Sequence, residues 1–157
     1  MTRPYFAFGS NIVPAQMAKR CPGSTSLGRA ELADHRFRIG RRGYGTVEPE
    51  AGAVVHGLLW DLRPEDEAAL DVYEGVRHGL YRRVRRTVRL ASGEEREAFV
   101  YVAADTAPGK AVAGYVERIV AAAEAHGFPA AYLDELRSWL PESREPGAGS
   151  REPPAPG

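Results

Sequence analysis

A chain of 157 residues is the size of one ordinary domain, long enough to bury a core and too short for two comfortable ones. Its 21 lysines and arginines offset 21 aspartates and glutamates, a balance that argues against a dedicated binder of nucleic acid or of an anionic membrane surface. Hydrophobic residues at 43% and charged residues at 27% fit a soluble globular protein, and a single cysteine, Cys21, excludes an internal disulfide.

The first eleven residues lack a basic stretch followed by a long apolar one, so they do not read as a signal peptide. No apolar run is long enough to cross a bilayer, and the expected location is cytoplasmic. Tyr5 to Phe8 reads as a short strand stopped by Gly9-Ser10-Asn11. Val13 to Lys19 reads as a short helix with Pro14 in its first turn. Arg29 to Ile39 alternates in part, and Val54 to Leu62 is a more apolar strand containing Trp60. Pro64 and three acids open a helix that runs through Leu70 and Val72 and stops near Gly75. Tyr81 to Leu90 and Arg96 to Val102 form a hairpin across Ser92-Gly93. Val112, Tyr115, Val116, Ile119, Val120 and Ala123 mark one face of a helix, with Pro108 near its start and Gly127 near its end. Ala130 to Leu140 is a last helix between Pro129 and Pro141. Residues 1–140 therefore form one α+β domain, a small mixed sheet or partly closed barrel flanked by helices. Residues 141–157, rich in Pro, Gly and charge, read as a disordered tail.

Two places carry potential chemistry. A strand that runs through Gly9-Ser10-Asn11 into a helix presents several backbone N–H groups together, which suits a carboxylate, although Ser and Asn also simply cap helices. Glu74 falls at a helix C-terminus, where the dipole disfavours a carboxylate. That repulsion, with burial among Tyr73, Val76 and Tyr81, is expected to raise its pKa above the ordinary ~4.3 and suit it to general base work. Taken alone, an exposed surface glutamate is the simpler reading. Arg82 to Arg89 resembles a nucleic-acid patch, but Glu94, Glu95 and Glu97 on the hairpin partner favour cross-strand charge pairs. The four histidines have no metal-ligand spacing, and neither metal nor cofactor is implied.

Taken in order, the motifs resemble the γ-glutamyl cyclotransferase family. Tyr5-Phe6-Ala7-Phe8-Gly9-Ser10-Asn11 is similar to its Y-F-A-Y-G-S-N segment, and His56-Gly57-Leu58-Leu59-Trp60 to its G-x-h-W strand, h being apolar. Leu70-Asp71-Val72-Tyr73-Glu74-Gly75-Val76 with Gly79-Leu80-Tyr81 resembles its L-D-x-x-E-G-V-x-x-G-x-Y signature. Gly114-Tyr115-Val116 and Gly127-Phe128-Pro129 resemble its closing helices. The resemblance implies a small barrel, a catalytic role for Glu74, and substrate binding by Tyr5, Phe6, Ala7, Phe8, Gly9, Ser10 and Asn11 with Tyr81 and Tyr115. Phe8 stands where the family more often has tyrosine.

The implied reaction is cleavage of a γ-glutamyl amide by its own α-amine, releasing 5-oxoproline and a free amine without a cofactor. The implied partner is a small γ-glutamyl molecule. Asn11 leans away from the glutathione-specific branch, which leaves a γ-glutamyl amino acid, a γ-glutamylamine or a protected biosynthetic intermediate. The alternative is a non-catalytic module of the same fold that binds a γ-glutamyl metabolite.

Overall fold

Burial of consecutive residues on two short strands organises the molecule. Tyr5–Ala7 and Ala98–Val102 are buried at every position, so both faces of each strand are covered and no alternation survives. The computed structural model describes residues 3–141; the first two residues and all of the expected tail after Pro141 lie outside them. Five strands, β1 (Arg3–Ala7), β2 (Thr25–Ile39), β3 (Gly45–Leu62), β4 (Tyr81–Leu90) and β5 (Glu95–Ala103), close into a barrel in the order β1-β3-β2-β4-β5. Neighbours are antiparallel except β1 and β5, which meet in parallel at Tyr5 and Phe99 and close the ring.

The helices are α1 (Pro14–Arg20), α2 (Pro64–Tyr73), α3 (Tyr115–His126) and α4 (Ala130–Arg137). A 3-10 turn, Ser10–Ile12, leads from β1 to α1, and α3 packs on α4 and on this turn. One core runs through the barrel and under the helices, with Phe6, Leu59, Leu62, Val100 and Ile119 at its centre. Burial of each such side chain contributes about 1.5–3 kcal/mol.

Four elements differ from the sequence expectation, the first being β2, which begins at Thr25, four residues before Arg29, where Thr25 and Ser26 pair with Asp61 and Trp60 of β3. β3 begins at Gly45, nine residues before Val54, because the segment Gly45–Pro49 pairs with His35–Ile39 of β2. There Arg36 and Arg38 meet Glu48 on the facing strand, so charge replaces the apolar pattern. Pro49 is accommodated opposite His35, beside a register shift in β2. The helix marked by the Val112–Ala123 stripe starts only at Tyr115, since Gly114 takes a left-handed conformation. The last helix ends at Arg137 rather than Leu140. The arginine-rich strand behaves as expected at Arg85 and Arg89, which pair with Glu97 and Glu95. Arg83 instead reaches back to Glu67 and Asp71 of α2.

Candidate active site

Gly75, with φ of 66°, ends α2 and turns the chain sharply after Glu74. Glu74 is thereby the last residue in helical geometry, its N–H donating to Leu70 O at 2.8 Å, and its side chain is carried inward to 1% exposure. This is deeper than the sequence suggests, and the surroundings differ. Tyr73 is 48% exposed and lies outside, its ring covered by the Arg20 guanidinium at 4.5 Å. The groups that feel the Glu74 charge are Tyr5 from β1, Tyr81 from β4, Tyr115 from α3 and Arg20 from α1.

Each of the three tyrosines has its phenol pushed up, first by burial and also by Glu74. They therefore remain protonated and can donate hydrogen bonds beside a carboxylate. Burial pulls the Arg20 guanidinium down, and the charge of Glu74 opposes that pull.

Two hydrogen-bonded arms hold this cluster. In the first, Arg20 Nη1 donates to Asn11 Oδ1 at 3.0 Å and to Ser10 Oγ at 3.3 Å, and Asn11 Nδ2 donates to Tyr5 OH at 3.0 Å. The turn is tied down further by Trp60 Nε1, which donates to Asn11 O at 3.2 Å. His126 Nε2 lies 2.6 Å from Ile12 O, and because a carbonyl only accepts, the proton sits on Nε2. Within the turn the N–H groups of Ile12 and Val13 donate to Gly9 O and Ser10 O, each at 3.1 Å. Gly9 has φ of −112°, outside the left-handed region.

The second arm centres on Gly45. Its N–H donates to Tyr115 OH at 2.9 Å and its carbonyl accepts from Tyr81 OH at 2.9 Å. A Cβ on Gly45 would sit 2.6 Å from Phe37 Cε1 and 2.9 Å from Tyr115 OH, which is why only glycine fits. The sequence reading placed Tyr81 and Tyr115 at the site but missed Gly45, Arg20, Trp60 and His126. A glycine flanked by Tyr44 and Thr46 gives no local sign that two tyrosines from distant elements converge on it.

The remaining residues of the β1 segment belong to the core. Phe6 and Ala7 are fully buried, and Phe8 packs edge-on against Phe37 at 6.2 Å. Phe8 thus supports the ring that faces Gly45 rather than presenting a polar group to the site. Cys21 is buried, donates to Asp66 O at 3.6 Å and has its thiol pushed up to about 12, chiefly by burial, which is the state of an inert structural thiol.

A cavity of about 20 Å³ reaches Tyr81 and is rimmed by Arg41, Arg42, Tyr44, Leu80 and Asp105. Larger hollows of about 310 and 580 Å³ lie against Arg3, Arg83 and Phe99 and against Lys110 and Trp139. Neither is bordered by Glu74, by the Gly9–Asn11 loop or by the site tyrosines. Among the described residues no helix is long and apolar enough to cross a membrane.

This barrel with its buried carboxylate has relatives. Residues 54–136, just over half of the chain, match the AIG2-like family, and the chain belongs to that family. Gamma-glutamylcyclotransferase of Bos taurus is 26% identical over 147 residues, covering 87% of this chain and 78% of that protein. The Homo sapiens protein of the same name is 25% identical over the same length and with the same coverage. Among solved structures, a gamma-glutamyl cyclotransferase superposes with a TM-score of 0.86 at 23% identity, over 97% of this chain and 94% of the other.

Proposed function

We propose that the chain is a γ-glutamyl cyclotransferase in which Glu74 is the general base. The observation that carries this reading is a carboxylate 1% exposed at the C-terminus of α2, encircled by Tyr5, Tyr81, Tyr115 and Arg20. A carboxylate is expensive to bury without a task or a partner, and this one is surrounded by neutral donors and a guanidinium. The curated relatives that cover most of the chain bear the name of this activity.

The substrate's α-ammonium gives a proton to Glu74, and the freed nitrogen attacks the γ-carbonyl carbon of the same glutamyl group. The new C–N bond closes a five-membered lactam, whose nitrogen gives up a second proton as the old amide C–N bond breaks, and the two protons leave with the departing amine, one of them handed over by Glu74, so that it departs as an ammonium. Holding the glutamyl group folded supplies much of the acceleration, because the reaction is then intramolecular in a fixed geometry. In this reading the loop of Gly9 and Ser10 holds the α-carboxylate or the developing oxyanion. The 20 Å³ cavity that reaches Tyr81 holds little more than one water and is lined by neither Glu74 nor the Gly9–Asn11 loop, so this reading requires side chains at its rim, such as the 36% exposed Leu80, to move when a substrate binds.

The test is direct. The protein is incubated with a panel of γ-glutamyl amides and 5-oxoproline is measured. Release from at least one amide supports the reading; binding of γ-glutamyl compounds without release would make the protein a non-catalytic module.

A further inference from the structure

The turn between β2 and β3 forms the rim of the cavity that reaches Tyr81, and it leads directly into Gly45. Its backbone is fixed on both sides. Gly40 N–H donates to Tyr44 O and Gly43 N–H to Gly40 O, each at 2.9 Å. The segment after β5 braces it from outside, with Gly109 N–H donating to Ile39 O at 3.2 Å and Val112 N–H to Gly43 O at 3.0 Å. Arg41 and Arg42 therefore project from a scaffold that does not need to reorganise.

The two arginines differ in their surroundings. Arg41 Nε lies 2.8 Å from Asp105, so its charge is compensated. Arg42 has no carboxylate partner among the described residues, and its guanidinium sits 5.7 Å from the Tyr44 ring centroid. Tyr44 in turn packs edge-on against Tyr115 at 5.3 Å. The Arg42 charge reaches the site, since it is felt at the Tyr81 phenol, where it opposes the effect of burial.

In the proposed reaction the glutamyl group lies beside Glu74, and the cavity between Arg41, Arg42, Tyr44 and Asp105 reaches Tyr81, one of the tyrosines that feel the Glu74 charge, so this rim is taken as the side on which the amine of the scissile amide lies. The geometry points to Arg42 as the residue that reads the departing amine: it pairs with a carboxylate on that amine and favours substrates that release an amino acid over those that release a plain amine. This inference rests on the γ-glutamyl cyclotransferase reading of the same site. A guanidinium presented on an aromatic face suits such pairing, because its planar fork can hold a carboxylate through two parallel hydrogen bonds.

The experiment uses two substrates that differ only in the carboxylate, γ-glutamyl-alanine and γ-glutamyl-ethylamine, with 5-oxoproline as the readout. The wild-type protein is expected to favour γ-glutamyl-alanine by about tenfold or more in kcat/KM, mostly through KM, as one charge-assisted contact allows. Salt should shrink the preference. In Arg42→Gln the ratio falls to near one because the loss falls on γ-glutamyl-alanine, while Arg42→Lys retains part of it. A wild-type protein that treats the two substrates alike, or an undiminished preference in folded Arg42→Gln, overturns the assignment and leaves the cyclotransferase reading standing. Absence of turnover on every γ-glutamyl amide overturns both.

Discussion

Gly45→Ala is the perturbation whose consequence can be worked most fully from the geometry. The new Cβ would lie 2.6 and 3.0 Å from two carbons of the Phe37 ring and 2.9 Å from Tyr115 OH. Carbon atoms sit comfortably at about 3.5–4.0 Å, so the ring must retreat by roughly 1 Å. It has little room to do so, being 5% exposed and packed against Phe8. Overpacking of this kind costs about 1–3 kcal/mol. For a chain of this length that corresponds to a Tm lowered by about 2–12 °C. The same methyl displaces Tyr115 from the Gly45 N–H, and misplacement of a site group by about 1 Å can cost on the order of 100-fold in rate. Thermal melts and 5-oxoproline release would be measured together, with Gly52→Ala as the control. Gly52, unlike Gly45, lies at positive φ, 84°, and nothing stands within 4 Å of its added Cβ, so backbone strain there should lower Tm and leave turnover intact. A Gly45→Ala protein with Tm within a degree of wild type and normal turnover would refute the argument that Gly45 is a packed junction of the two tyrosines.

Other expectations follow from single contacts. His126→Phe keeps an aromatic ring beside Phe128 but loses the donor to Ile12 O, so it should loosen the Gly9–Asn11 turn and raise KM; His126→Gln, which can still donate, should recover most of the loss. Cys21 should resist alkylating reagents in the native protein at pH 8 and react on unfolding, measured by mass shift. Because its folded pKa, about 12, lies above the ordinary thiol value, its contribution to stability is complete below that ordinary value. The contribution is lost as pH rises towards 12, so Cys21→Ala should show a shallower alkaline decline in denaturant midpoint.

Elements with a local cause were readable from the sequence. Pro64 with the acids behind it opens α2 and Gly75 closes it, and the placement of Glu74 follows from that stop. The hairpin of β4 and β5 follows from its turn and its paired charges. Long-range causes left little trace. The first half of β3 is a strand because β2 lies beside it, and its own Glu-Pro-Glu-Ala-Gly composition argues for a loop. The stripe through Val112 promised an earlier helix, but Val112 serves to brace the Gly43 turn and Gly114 delays the start. In the site, the motif residues were visible, whereas Gly45, Arg20 and His126 act through partners 36 or 70, 10 or 9, and 114 positions away.

The central claim is the chemistry assigned to Glu74, and turnover by Glu74→Gln tests it most directly. The amide keeps the size and much of the hydrogen-bonding capacity of the carboxylate but cannot accept the α-ammonium proton. General acid–base catalysis contributes about 10²–10⁴-fold, so kcat for 5-oxoproline release should fall by at least about 100-fold while KM changes far less. Circular dichroism of the same sample establishes that the barrel is intact. A folded Glu74→Gln protein that releases 5-oxoproline at close to the wild-type rate would contradict the account.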